Sequence, residues 1–495
     1  MQTSTGRRGY FANRLGSVAA RSHSQKLELL AETTRRAWRQ SLQRPTRDRS
    51  SPESGGRSRA GTLASPRSGE GGQREAEALE KLFDPAHGLL LSSGTGEGAD
   101  VWRGPTSIPP SRQRISPKLR PCEVRGCLGG RLTSRLVTGA PEPRLHPRVL
   151  LVGAGGIGGV LGALLCATPA KVTVLTTNPA IGDALRERGF RLRGDHAGRG
   201  GTPHAVLSEP PQTGDFDWVL LAVQPPQVER AAESALGALA PDGQLVCFQN
   251  GLCEERVARL CGSQRVVGGV VAWGGSMLEP GVYERTSAGG FSLGVLPGGH
   301  ATRLPELARL LEVVGPVTVT QNLAGVRWSK LAINCAVSTL GTLGGERLGA
   351  LLRLRFVRRL ALEVVTEAVL LARAEGVRLE KVAGTLDLEW LALGPDYRQK
   401  ASMSLATKHA LMLAVGARYR RMRSSMLSAL ERGREPAVDF LNGEVVERAS
   451  RHGLAVPVNA RARELVWAVA RGERVSSRAL LRELWETTRG ATGQA

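Results

Sequence analysis

Hydrophobic positions are spread unevenly along the 495 residues. From Arg148 onward, short apolar runs recur between polar, Gly or Pro signals: Val149–Val152, Lys171–Leu175, Trp218–Val223, Gln244–Phe248 and Val266–Trp273. They have the length and uninterrupted character of strands buried on both faces. Helical periodicity fills the intervals, notably over Val160–Cys166 and Gln227–Leu239. Strands alternating with helices predict a doubly wound parallel sheet. After about Asn322 the strand pattern stops. Leu323–Leu343, Leu348–Glu375, Gln399–Val415, Arg421–Arg432, Pro436–His452 and Pro457–Arg471 then read as helices. No internal repeat is apparent.

Upstream of His146 the texture differs. Segments such as Ser50–Gly72 and Gly94–Pro110 are rich in Gly, Ser, Pro and Arg and have no period. Such composition cannot bury enough apolar surface to offset backbone ordering entropy. Residues 1–146 are therefore expected to be a largely disordered extension, with helical islands at Gln25–Leu42 and Glu75–Phe83. Arg7, Arg8, Arg14, Arg21 and Lys26 occur before any acid. That pattern resembles an organellar transit peptide, but the preferred reading is the plainer one, a disordered tail or an over-extended start codon.

Charge adds little to this picture. The net +22 divides into 25 basic against 13 acidic residues over 1–146, and 42 against 32 thereafter. Basic charge speaks for non-specific association, not for fold. No zinc-finger or RNP motif accompanies it, so no specific nucleic-acid partner is expected. Seven scattered cysteines, an odd number, suggest a reducing compartment rather than a disulfide framework. Cys122 and Cys127 stand apart from any His/Cys cluster, so no metal is expected. Val149–Ala170 holds 22 residues without a charge, long enough to span a bilayer. Its five glycines within seven residues make a poor helix, and strand–turn–helix is the better reading. No membrane segment is expected.

Gly153-Ala154-Gly155-Gly156-Ile157-Gly158 matches G-x-G-x-x-G, directly after a strand and opening a helix. The first glycine permits a tight turn, the second close approach to a pyrophosphate, and the third close helix–sheet packing. The helix N-terminus would offer N–H groups to the phosphates. This predicts a Rossmann-type dinucleotide domain over 147–321, followed by an all-helical substrate domain over 322–490. The second strand ends Leu175-Thr176-Thr177-Asn178, without the acid that usually holds an NAD ribose. NADP(H) is the expected cofactor, its 2′-phosphate met by Thr177, neighbouring amides or a more distant Arg such as Arg186.

In the helical part, Lys330, Asn334 and Ser338 share one stripe of an otherwise apolar helix. A cation with hydrogen-bonding neighbours facing a nucleotide domain could polarise a carbonyl and supply a proton. The stripe alone also fits a solvated lysine with two surface polar groups. Taken with the GAGGIG turn, Phe248–Gly251 (FQNG), Leu278–Gly281 (LEPG), Trp328–Asn334 (WSKLAIN), Ser424–Leu427 (SSML), Val438–Gly443 (VDFLNG), His452–Pro457 (HGLAVP) and Asn459, it resembles the ketopantoate reductase (2-dehydropantoate 2-reductase) family over roughly 147–472.

The resemblance implies NADPH-dependent reduction of a 2-oxo acid to a 2-hydroxy acid, leading towards pantothenate and coenzyme A. Lys330 would be the catalytic proton donor. Asn250 would lie beside nicotinamide and substrate, and Asn334, Ser338 and Ser425 would bind substrate. A cytoplasmic enzyme is implied, and a homodimer is compatible with it. For Asn250-Gly251 a plain turn is the alternative, and for Ser425 a buried serine bonding its own helix.

This chain departs from the family pattern at Gln224, where Lys is usual, and at Thr177, where Arg is usual. Ser338 and Met422 stand where asparagines are expected. Ala437 replaces a glutamate; Glu435 would compensate only if its helix begins later. These departures leave open a more apolar 2-oxo acid, or a non-catalytic NADP-binding protein that engages a partner through its basic extension.

Overall fold

The computed structural model describes residues 146–382, 386–394 and 403–490. The expected extension, its two helical islands, Cys122 and Cys127 lie outside the described residues. Along the chain run β1 (Arg148–Val152), α1 (Gly156–Leu165), β2 (Lys171–Leu175), α2 (Pro179–Arg188), β3 (Phe190–Arg193), β4 (Gly200–Gly201), β5 (Ala205–Leu207) and β6 (Phe216–Leu221). Next come α3 (Val228–Ala235), β7 (Leu239–Cys247), α4 (Cys253–Cys261), β8 (Val266–Val271), β9 (Gly275–Glu279), β10 (Val282–Arg285), β11 (Phe291–Val295), α5 (Leu304–Leu311) and β12 (Val317–Val319). Nine helices follow among the described residues. They are α6 (Leu323–Gly344), α7 (Leu348–Leu351), α8 (Arg355–Ala374), α9 (Leu388–Leu391), α10 (Met403–Arg418), α11 (Ser425–Leu430), α12 (Asn442–Arg451), α13 (Pro457–Ala470) and α14 (Arg478–Gly490).

The main sheet has the order β12-β11-β8-β7-β6-β1-β2-β5. Its six strands from β8 to β5 are parallel, as the apolar runs predict. β11 is antiparallel to β8 and carries β12 with it, so the sheet is mixed rather than wholly parallel. From β1 the chain winds outward to β2 and β5 and then returns to β6 on the other side of β1. In open α/β sheets such a reversal opens a crevice at the carboxyl ends of the strands.

A second, four-stranded sheet (β4-β3-β10-β9) was not legible in the sequence. It packs against α1. A Cβ on Gly159 would come within 2.0 Å of the Tyr283 ring, so only a bare backbone fits between the two layers. The Tyr283 hydroxyl donates to the Ala154 carbonyl at 3.0 Å, bracing the glycine turn from that side.

Three helix expectations are corrected. The turn glycines enter α1, which starts at Gly156 rather than Val160. The single helix foreseen over Leu348–Glu375 is broken into α7 and α8, because Leu354 is extended (φ −79°, ψ 121°). There α7 packs so tightly that a Cβ on Gly349 would lie 2.6 Å from the Arg420 Cα, and this packing outweighs the continuous periodicity. The helix foreseen over Pro436–His452 starts as a short 3₁₀ turn, Ala437–Phe440, and becomes α12 only at Asn442.

The helical half has its own apolar core around Trp328, Leu331, Cys335, Leu360, Val364 and Leu465. α6 is its axis. Asn322 caps that helix, accepting from the Gly325 amide at 3.0 Å and donating to the Arg378 carbonyl at 2.9 Å and the Glu380 carboxylate at 2.8 Å. Among the described residues no helix is long and apolar enough to cross a membrane.

Candidate active site

The carboxyl edge of the parallel strands gathers three pieces. After β1, Gly153 takes φ +94°, a conformation that L side chains rarely adopt, and donates its amide to the Leu175 carbonyl at 2.9 Å. A Cβ on Gly158 would sit 2.0 Å from the Gly153 oxygen, so the third glycine closes the turn. Gly156 is pressed against Gly275, with 2.2 Å between a hypothetical Cβ and that carbonyl oxygen. At Gly155, by contrast, a Cβ would meet nothing within 4 Å. No side chain caps α1 there, so the helix N-terminus faces open space over bare backbone. Ala154 is buried and Ile157 half-buried behind this turn. Donor N–H groups, a positive helix end and a missing side chain fit a pyrophosphate.

The second piece follows β2. Thr177 is exposed, and Asn178 caps α2 by accepting the Ile181 amide at 3.2 Å. Arg186 does not reach this end: it sits in the last turn of α2 and pairs with Asp183 at 2.8 Å. The rim therefore carries a hydroxyl and an amide without a carboxylate at residues 176–178.

The third piece follows β7. The Gln249 amide donates to the Leu221 and Val223 carbonyls at 2.8 and 3.2 Å, tying this loop to the end of β6. Gly251 takes φ +91°, and a Cβ there would fall 2.4 Å from the Phe440 carbonyl oxygen. Asn250, between them and half-buried, is thus held on a loop gripped from both sides.

Lys330 approaches this edge from the helical half. Its Nζ donates to the carbonyl of Val271, the last residue of β8, at 2.6 Å. Burial, reinforced by the charge of Arg327, lowers the amine to about 7. One turn on, Asn334 has a buried Nδ2 without a partner, a donor awaiting an acceptor. Ser338 is buried, and its carbonyl accepts from the Thr342 hydroxyl at 2.8 Å and the Ser424 hydroxyl at 2.7 Å. Ser424 also caps α11 through the Leu427 amide, so Ser425 is exposed at the first helical position rather than buried in a helix. The structure brings Lys330, Asn334 and Ser338 onto one face of α6, ties Ser425 to it through Ser424, and sets Asn250 on the loop opposite.

Several residues that shape the site were missed from the sequence. Arg327 donates to the Gln249 and Cys247 carbonyls, both at 2.7 Å, and forms an ion pair with Glu254. Its signal was a charged residue one turn before Lys330 on an apolar helix. Asn442 accepts from the Thr339 hydroxyl and donates to the Cys335 carbonyl and to Asn459. Asn459 reaches in turn the Glu367 carboxylate at 2.8 Å. This buried chain fixes α6 against α8, α12 and α13.

The departures fall as follows. Ala437 is half-buried in the 3₁₀ turn, and the helix does begin later, but Glu435 is exposed outside it, ahead of an extended Pro436. Asp439 is engaged by Arg463 and by the Trp467 indole. Met422 is 41% exposed, and Gln224 is exposed after β6.

An open glycine turn after β1 and a half-buried amine at the end of β8, both on the carboxyl edge of the parallel strands, are the arrangement of a dinucleotide-dependent oxidoreductase. Residues 149–298 match the ketopantoate reductase PanE/ApbA family and residues 322–470 its C-terminal domain; the chain belongs to this family. It is 26% identical over 328 residues to a 2-dehydropantoate 2-reductase of Pyrococcus horikoshii, covering 66% of this chain and 97% of that one. Its fold is shared by a PanE/ApbA family ketopantoate reductase from Ralstonia eutropha, with TM-score 0.55, 24% identity and coverage of 66% and 99%. A D-mandelate dehydrogenase solved with NADH and anilino(oxo)acetate has the same fold, at TM-score 0.56, 16% identity and coverage of 66% and 98%.

Proposed function

We propose that this chain uses NADPH to reduce a 2-oxo acid to the 2-hydroxy acid, with 2-dehydropantoate as the first candidate and hence a step towards pantothenate. Residues 147–321 hold the cofactor and 322–490 grip the substrate. The observation that carries this reading is the Lys330 amine, delivered to the carboxyl end of β8 and lowered by burial to about 7.

Gly153–Gly158 and the N-terminus of α1 would hold the pyrophosphate, and Asn250 would orient the nicotinamide end. Thr177 and Asn178 at the rim favour a 2′-phosphate over a bare ribose, because no carboxylate would repel it. Bound there, NADPH supplies a hydride. Lys330 turns from Val271 to the ketone oxygen, donates its proton and stabilises the developing alkoxide. An amine near 7 is suited to this, since a donor works best with a pKa close to the operating pH. The unpaired Asn334 amide and the exposed Ser425 hydroxyl take the carboxylate and polar groups of the substrate.

A second reading differs only in the substrate. Met422 and Ala437 remove polar partners, which favours a 2-oxo acid with an apolar side chain. The fold shared with a D-mandelate dehydrogenase is in keeping with that. NADPH and NADH oxidation by the chain, with ketopantoate and a panel of branched and aryl 2-oxo acids, tests both. NADPH binding without turnover of any of them would refute reduction.

A further inference from the structure

Arg327 touches no reacting group in the chemistry proposed above and enters it only through its charge on Lys330, yet it is 3% exposed and paired with a Glu254 that is 2% exposed. A buried ion pair is a poor device for stability, since well-packed apolar residues often serve as well or better. What apolar residues cannot do is satisfy two strand-end carbonyls at once. Arg327 Nη1 donates to Gln249 and Nη2 to Cys247, both at 2.7 Å, while Glu254 neutralises the charge. The ladders of β7 with β6 and with β8 both end at Cys247; beyond it the loop is held by the Phe248 amide and the Gln249 side chain on the end of β6, and by Arg327 on its carbonyls. A rigid guanidinium fork presents two donors in fixed directions to them, which a rotatable ammonium on a shorter side chain does not.

The consequences fall on two groups that matter. Asn250 is the next residue after Gln249, so its loop is fixed from below by Arg327 and from the side by Gly251 against Phe440. Lys330 is one turn further along α6 and bonds the end of β8. Two cations on one helix thus fasten it across the ends of β7 and β8. Only the lysine is free to leave for chemistry. When it turns to the substrate, Arg327 still ties α6 to the end of β7.

We propose that Arg327 is a positioning residue of the reductase, keeping Lys330 and Asn250 at a fixed separation across the crevice while the Val271 bond is broken. The proposal rests on the functional reading above. It predicts a loss in the chemical step rather than in cofactor binding, because a small misplacement of reacting groups can cost about 100-fold in rate.

The test uses the full chain with NADPH. In Arg327→Met/Glu254→Leu the charges leave together, so no lone buried ion remains. We expect kcat to fall about 100-fold while the NADPH dissociation constant, read by fluorescence, stays within about threefold. Arg327→Lys keeps the pairing with Glu254 and safeguards folding; its kcat should fall at least tenfold, because the shorter, rotatable ammonium lacks the fixed fork that spans both carbonyls. A kcat near wild type in either folded variant overturns the proposal. So does a loss of NADPH affinity equal to the loss of kcat, which marks general loosening. Wild-type protein that binds NADPH but turns over no 2-oxo acid sinks the reductase reading itself, before any variant is made.

Discussion

Arg327 and Lys330 lie one turn apart on α6, and burial together with the guanidinium charge brings the lysine amine to about 7. As proton donor the amine must be charged. Reductive kcat/KM, which reports the free enzyme, should therefore fall about tenfold per pH unit above about 7. Stability should move the other way. Between about 7 and the ordinary lysine value the unfolded chain binds a proton that the folded chain does not, so stability rises with pH through that window. Urea titrations at pH 7 and 9 on wild type and Lys330→Met check it: the variant should lose this part of the dependence.

Lys330→Ala should lower turnover by about 10²–10⁴, the usual contribution of a positioned acid. NADPH binding should be little changed, since the lysine faces the end of β8 rather than the glycine turn after β1. Normal turnover would show that the proton comes from elsewhere.

The glycines of the turn should separate into two kinds. Gly155→Ala meets no protein atom, so its melting temperature should match wild type while NADPH binding weakens. Gly158→Ala drives a methyl into the Gly153 carbonyl and should unfold the turn, lowering the melting temperature before any ligand is added. Equal stability losses in both would argue against an open cradle at Gly155.

Thr177→Asp tests the cofactor preference. A carboxylate at the end of β2 would repel a 2′-phosphate and accept a ribose hydroxyl. The ratio of NADPH to NADH dissociation constants should shift towards NADH; an unmoved ratio would place the 2′ position elsewhere.

Asn442→Ala leaves Thr339, Asn459 and the Cys335 carbonyl without their partner in a buried site. Chemical denaturation should show a loss of about 1–3 kcal/mol, the cost of burying unsatisfied polar groups.

The parallel strands and the glycine turn were legible because the apolar runs are buried on both faces and the turn has one steric solution. Lys330 and Asn250 were placed by resemblance, and the structure gives the physical reason their segments meet: one helix crossing two strand ends. The small sheet was hidden since β3 and β4 are short and β3 pairs with β10 far along the chain, with no period to read. The break before Arg355 and the 3₁₀ turn at Ala437 were hidden for another reason. There, contacts distant in sequence, Gly349 with Arg420 and Gly251 with Phe440, override a continuous helical pattern. Arg327 was overlooked because an arginine on a helix is usually solvated, and only the strand-end carbonyls reveal its task.

Asn322 does more than cap a helix. With its amide on Arg378 and Glu380, and the Ser329 hydroxyl donating to the Glu380 carbonyl at 2.7 Å, the passage from the last strand into α6 is stitched to the chain beyond α8. The first helix of the helical half and the chain after α8 are thereby clasped into one rigid piece, which presents the lysine to the strand ends as a unit.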